Sequence, residues 1–258
     1  MRYIDVHAHL NDSRYGGDIA PIKERMKGAH VERVINSGFD YASSEYALKL
    51  SQENEGMYFC PGVHPDNAKT FSPEIYEKFK IFGSDPKCVA IGEIGFDFHW
   101  LASTEEEQER AFEKQMELAD ELGLPFVVHS RDATKKTVDF LQDRKSLINH
   151  GFLMHCYSDS AETAQIYLGL GAYFSFGGVI TFKNAKKEEI IRSIPIDRVL
   201  SETDSPYLSP DPFRGTINEP TRIPLIVAKL ASVYGKSVEE TAEIINDNAD
   251  RLFFKLCN

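Results

Sequence analysis

Several features that define other protein classes are scarce in this chain. No apolar stretch approaches the roughly 18 residues a membrane span needs, which argues against a transmembrane protein. The four cysteines, Cys60, Cys88, Cys156 and Cys257, show no CxxC spacing. The opening Met1-Arg2-Tyr3-Ile4-Asp5 turns polar too soon for a secretory signal. Reduced thiols and a cytoplasmic location are the expectation. Positive charge is in deficit, with 29 Lys plus Arg against 40 Asp plus Glu and a formal net charge of −11. That balance argues against broad, non-specific coating of nucleic acid. It leaves room for an enzyme that engages a phosphate locally through metal ions and a few cations. Low-complexity tracts, linkers and internal repeats are also missing, so the 258 residues are read as one domain over 1–258 with no obligate protein partner.

What is present is an alternation of short apolar runs with longer amphipathic segments, the pattern of parallel βα units. Strand-like runs are Tyr3-Ile4-Asp5-Val6, Arg33-Val34-Ile35-Asn36, Met57-Tyr58-Phe59-Cys60 and Cys88-Val89-Ala90-Ile91. Phe126-Val127-Val128, Gly151-Phe152-Leu153-Met154, Ala172-Tyr173-Phe174-Ser175-Phe176 and Arg198-Val199-Leu200 bring the set to eight. Between them, Glu105-Glu106-Glu107 after Ser103-Thr104 gives capping-box partners, Phe112, Met116 and Ala119 recur at helical spacing, and Gly123 with Pro125 ends the helix. Ser237 with Glu240 predicts another capping box ahead of an apolar face of Ala242, Ile245, Ala249 and Leu252. An open doubly wound sheet would carry a Gly-rich phosphate loop after its first strand, and none is there. The expected fold is α/β, a single (β/α)₈ TIM-type barrel.

The residues with ligand chemistry fall at the ends of these runs. His7 and His9 follow the first, His64 the third and Glu93 the fourth; His129 and His155 end the fifth and sixth, and Asp204 follows the eighth. In a (β/α)₈ barrel all these ends converge on one face. His7 and His9, one residue apart, point the same way from an extended strand and can chelate one ion. Glu93 can bridge two ions, His129 and His155 can supply a second site, and Asp204 can complete the first and accept a proton from water. A lone strand histidine is usually a hydrogen-bonded core residue, and Asp204 also suits an Asx-type turn. The coincidence of metal-ligand candidates at five strand ends, the first, fourth, fifth, sixth and eighth, outweighs those readings. Arg131 and Arg214 follow the fifth and eighth runs and can reach a phosphate or form surface ion pairs. His30, His150 and the acid-rich Glu105–Glu109 read as surface, and Cys156 as a packed thiol.

Together these pieces resemble the TatD family of metal-dependent hydrolases, which is associated with deoxyribonuclease activity. The matching segments are Asp5-Val6-His7-Ala8-His9, Gly62-Val63-His64-Pro65, Ile91-Gly92-Glu93-Ile94-Gly95-Phe96-Asp97 and Val128-His129-Ser130-Arg131. His155-Cys156-Tyr157-Ser158, Thr181-Phe182-Lys183-Asn184, Glu202-Thr203-Asp204-Ser205-Pro206-Tyr207-Leu208, Arg214-Gly215 and Asn218-Glu219-Pro220 continue the series. The resemblance implies an amidohydrolase-like barrel with two divalent metal ions, of zinc, manganese, magnesium, iron or nickel. It implies that His7, His9, Glu93 and Asp204 hold one ion, and Glu93, His129 and His155 the other. It also implies that His64 and Arg131 contact the scissile phosphate, that Asp204 is the acid/base residue, and that Glu202 orients a ligand from behind. Two departures stand out. Thr216-Ile217 occupies a stretch that is often basic in the family, and Asp159 follows Ser158 where glycine is common.

The expected activity is therefore hydrolysis of DNA phosphodiester bonds by a water activated between two metals. The alternative is an amidohydrolase-type enzyme cleaving a C–N or ester bond of a small molecule. Many such enzymes bridge their metals with a modified lysine, and Glu93 in that place favours the first reading.

Overall fold

The computed structural model describes residues 1–257, with the Cys257 side chain outside that description. Eight strands occur in chain order: β1 Tyr3–Ala8, β2 Val31–Ser37, β3 Met57–Cys60, β4 Ile91–Asp97, β5 Phe126–Arg131, β6 Phe152–Met154, β7 Ala172–Phe176 and β8 Val199–Ser201. Helices fill the intervals: α1 Ala20–Gly28, α2 Tyr41–Glu53, α3 Pro73–Gly83, α4 Glu105–Leu122, α5 Thr134–Asp143, α6 Ala161–Gly169 and α7 Glu188–Ser193. α8 Ile223–Tyr234 and α9 Val238–Leu252 follow β8.

All the ladders are parallel, in the orders β1-β2-β3 and β4-β5-β6-β7-β8. Two single parallel bridges join the sheets, Phe59 to Cys88 at one seam and Ala8 to Ser205 at the other. At the second seam Asp204 N–H donates to the His7 carbonyl at 2.9 Å, and His9 N–H to the Ser205 carbonyl at 2.7 Å. The strand order thus returns to β1, giving the α/β barrel of TIM type. The seam also stitches three candidate metal ligands, His7, His9 and Asp204, into one backbone network. The strands are buried on both faces, as parallel strands under helices must be. Phe126 and Phe152 stack at 5.3 Å between centroids, with Phe152 also against Tyr167 of α6.

The helix signals act as the sequence predicts for α4. Thr104 and Glu107 form both halves of a capping box, Gly123 closes the helix at φ 66°, and Phe112, Met116 and Ala119 are buried. At α9 only half of the expected box forms. Ser237 accepts from Glu240 N–H, but the Glu240 carboxylate is taken by Lys236.

The fourth strand is displaced from its expected place. Cys88–Ala90 is an apolar seam segment, and β4 proper runs from Ile91 to Asp97. Its glycines and acids read as non-strand residues, because strand propensity reflects packing against side chains. Here a side chain would not fit: a Cβ at Gly95 would lie 2.0 Å from the His129 carbonyl oxygen. Glu93 therefore lies within β4 instead of after it. His129 likewise lies inside β5 and does not end it.

Candidate metal centre

The alternation of β4 places Glu93, Gly95 and Asp97 on one side of the strand. Glu93 is 3% exposed, a depth at which a carboxylate needs partners. Its two oxygens face two different histidine pairs. Oε2 lies 3.4 Å from His7 Nε2 and 3.6 Å from His9 Nε2. Oε1 lies 2.6 Å from His129 Nδ1 and 2.7 Å from His155 Nε2. Asp204, after β8, brings Oδ1 to 3.8 Å from His7 Nε2 and 3.4 Å from His9 Nε2. It sits at φ 52°, a conformation uncommon outside glycine that swings its carboxylate over the barrel mouth.

These atoms fit divalent cations. A tetrahedral ion with ligands at about 2.0–2.1 Å separates those ligands by about 3.3–3.4 Å. The two imidazole nitrogens of His7 and His9 are 3.2 Å apart, and the distances from them to Glu93 and Asp204 run from 3.4 to 3.8 Å. The partners behind the rings agree. His9 Nδ1 is 2.9 Å from the Ser37 carbonyl, which only accepts, so this nitrogen carries the hydrogen and Nε2 presents a lone pair. Ser37 Oγ meets His7 Nδ1 at 3.0 Å, and Asp97 Oδ2 takes His129 Nε2 at 3.0 Å. Behind His155, Nδ1 and Glu202 Oε1 are buried 3.7 Å apart, neither with another partner in reach. Ser175 Oγ donates to the other Glu202 oxygen at 2.5 Å. Histidines backed by oxygen acceptors on their far nitrogens are the usual arrangement of metal ligands.

The electrostatics point the same way. Burial alone would raise the Glu93 carboxyl, but the charge of His155 and the hydrogen bonds of His129 and His155 hold it well below the usual range. Burial works against a His155 cation, and Glu93 and Glu202 override it and push that ring well up. The cluster is built to hold positive charge. His64 differs. Burial, with the charge of His129, lowers it to about 3, so it is neutral. Its Nδ1 accepts from Asp66 N–H at 3.1 Å, which leaves Nε2–H as a donor directed into the site, 3.7 Å from Glu93 Oε1.

The mouth holds a cavity of about 350 Å³ lined by most of these residues together with Arg131, Trp100 and Tyr207. Arg131 stands 5.7 Å from the Trp100 ring. Arg214 is not brought there; it packs 4.2 Å over Phe182 on the next loop. His30 and His150 are exposed as expected. Sequence reasoning gave Asp97 no role, although its period-two spacing from Glu93 was the available signal. Asp66 and Trp100 carried no such signal, since loops position them.

A family model described as TatD related DNase matches residues 4–254. The chain belongs to the TatD family. It is 40% identical to the uncharacterized metal-dependent hydrolase YabD of Bacillus subtilis, over 96% of this chain and 98% of that one. It is 31% identical to the 3'-5' ssDNA/RNA exonuclease TatD of Klebsiella pneumoniae, over 96% and 97%. The solved structure of the TatD homologue YJJV from Escherichia coli superimposes with a TM-score of 0.90 at 27% identity, covering 98% of both chains. This TatD-family chain is thus a metal-dependent hydrolase that uses divalent metal. Among the described residues no helix is long and apolar enough to cross a membrane.

Proposed function

We propose that this hydrolase is a deoxyribonuclease that cleaves phosphodiester bonds of single-stranded DNA near strand ends, acting in the cytoplasm as one catalytic domain over 1–258. The carrying observation is the division of Glu93, with one oxygen toward His7 and His9 and the other toward His129 and His155. In this reading His7, His9, Glu93 and Asp204 hold one ion, and Glu93, His129 and His155 hold a second. Bound there, zinc, manganese, magnesium, iron or nickel would polarise a phosphoryl oxygen and acidify water.

The chain's own groups do the rest. Asp204, with 14% of its side chain exposed at the cavity edge, accepts the proton of the attacking water. Neutral His64 donates Nε2–H to a non-bridging phosphate oxygen, and Arg131 pairs with the same group from the rim. Glu202 holds His155 in orientation from behind. Arg214 stands outside this cavity and takes no part at the scissile phosphate. The exonuclease name of the Klebsiella relative supports the substrate class.

The test is hydrolysis of an end-labelled single-stranded oligonucleotide after chelation and again with Mg²⁺, Mn²⁺ or Zn²⁺ restored, beside Glu93→Ala. Metal-restored cleavage that Glu93→Ala abolishes is the expected result. A protein that cleaves no phosphodiester but hydrolyses amides or esters would replace this reading with the amidohydrolase one.

A further inference from the structure

We propose that the loop between β7 and α7 is a track for the phosphate backbone of a single-stranded polynucleotide, leading away from the metal centre. The proposal rests on the nuclease reading and adds where the uncleaved part of the strand lies. The loop sequence Thr181-Phe182-Lys183-Asn184-Ala185-Lys186-Lys187 carries three lysines in five positions of a chain whose net charge is −11. Among the described residues, Lys183 and Lys186 form no ion pair and no side-chain hydrogen bond, and Lys187 Nζ reaches only the Ser158 carbonyl, at 2.6 Å. Arg214, absent from the metal cavity, adds a fourth cation by packing over Phe182 of this loop. Asp159 lies within electrostatic reach of Lys187 and accepts from the Thr134 hydroxyl at 2.6 Å, while Glu188 is engaged by Lys229 at 2.6 Å and Arg192 at 3.6 Å. Glu189 and Asp159 form no ion pair there among the described residues, so two acids stand against the four cations.

The placement connects this patch to the chemistry. A depression of about 330 Å³ shares His155, Asp204 and Arg131 with the metal cavity and ends at Lys187. A further one of about 430 Å³ begins at Lys187 and is bordered by Lys183 and Lys186. The surface is therefore continuous from the metal ligands to the lysines. Like charges gathered this closely repel one another unless an anion joins them. An acidic enzyme that captures a polyanion gains most from cations concentrated along its path. Lysines on flexible stems suit phosphates at variable spacing, where a fixed bidentate grip would suit a single one. A mononucleotide or short ester would leave these groups unused.

The test compares wild type with the triple variant Lys183→Gln, Lys186→Gln, Lys187→Gln. A control variant removes three lysines at the opposite end of the barrel, Lys27→Gln, Lys49→Gln, Lys145→Gln. Each metal-loaded protein is assayed for kcat/KM on a dinucleotide and on a 20-mer single strand at 50 and 200 mM salt. A single strand releases about 0.7 counterion per phosphate contact, so three lost contacts lower the salt slope by about 2. The advantage of wild type over the loop variant on the 20-mer should then shrink about 16-fold between the two salts. Dinucleotide rates and the control variant should follow wild type. A loop variant with the wild-type salt dependence on the 20-mer, or one equally impaired on the dinucleotide, overturns the track and leaves the nuclease reading standing. Wild type that cleaves neither substrate overturns both.

Discussion

Asp97→Asn should weaken one metal site and spare the other, although the substitution changes little in shape. Asp97 Oδ1 accepts backbone N–H groups from His99 at 2.8 Å and Trp100 at 3.1 Å, while Oδ2 takes His129 Nε2 at 3.0 Å. In the variant the amide oxygen must stay with the two backbone donors, because turning the amide would set its NH₂ against both. The NH₂ then faces His129 Nε2, and a ring nitrogen that carried hydrogen must become an acceptor. The hydrogen moves to Nδ1, the atom that faces Glu93 Oε1. A protonated Nδ1 has no lone pair for a cation. Loss of such a supporting partner lowers metal affinity by about 10–100-fold, or about 1.4–2.7 kcal/mol. Titration of the metal-free protein with Zn²⁺ against a chromophoric chelator should show one binding step weakened by that factor and one unchanged. Asp97→Ala, which imposes no tautomer, should lose less. Two unchanged steps in Asp97→Asn would refute the argument, and equal loss at both sites would show a general disturbance of β4.

Other consequences are open to simpler measurements. Trp100, 64% exposed at the cavity rim, offers a stacking face worth about 1–3 kcal/mol per base; Trp100→Ala should raise KM for oligonucleotides about fivefold or more with kcat nearly unchanged, and an unaltered KM would remove the stacking role. Gly95→Ala places a Cβ 2.0 Å from the His129 carbonyl at φ +144° and should destabilise the fold by at least about 2 kcal/mol, read as a lowered midpoint in denaturant. Saturating each metal site at about 100 times its dissociation constant stabilises the native state by about 2.7 kcal/mol, so chelation should lower Tm for wild type and change little in Glu93→Ala.

The parts of the fold that the sequence displays are those where local chemistry and final environment agree. α4 carries its cap, its buried stripe and its glycine stop within one segment, and the structure uses all three. β4 shows the opposite case. Its interior side must let β5 approach Gly95 and must hold Glu93 and Asp97, so it has the composition of a loop although it is a strand. The neighbouring Cys88–Ala90 looks like a strand because it is buried at the seam. The Glu240 carboxylate, drawn to Lys236, shows a local pairing displaced by a competitor of similar strength.

The same distinction divides the candidate centre. His7 and His9 are legible together because one strand's alternation aims both rings at a common point. The pair His129 and His155 has no such local sign, since their approach to 3.1 Å depends on the register between β5 and β6. What makes either pair suited to metal lies one layer further out, in oxygens that dictate which ring nitrogen is bare. The Ser37 carbonyl behind His9 is a backbone atom and leaves no trace in residue identity. Asp97 does leave one, yet it looks like any acid near a strand end until His129 is placed against it. Side chains that touch a ligand are recognisable by chemistry. Those that set a tautomer are recognisable only by distance, and Asp97→Asn is the substitution at which that difference becomes a measured affinity.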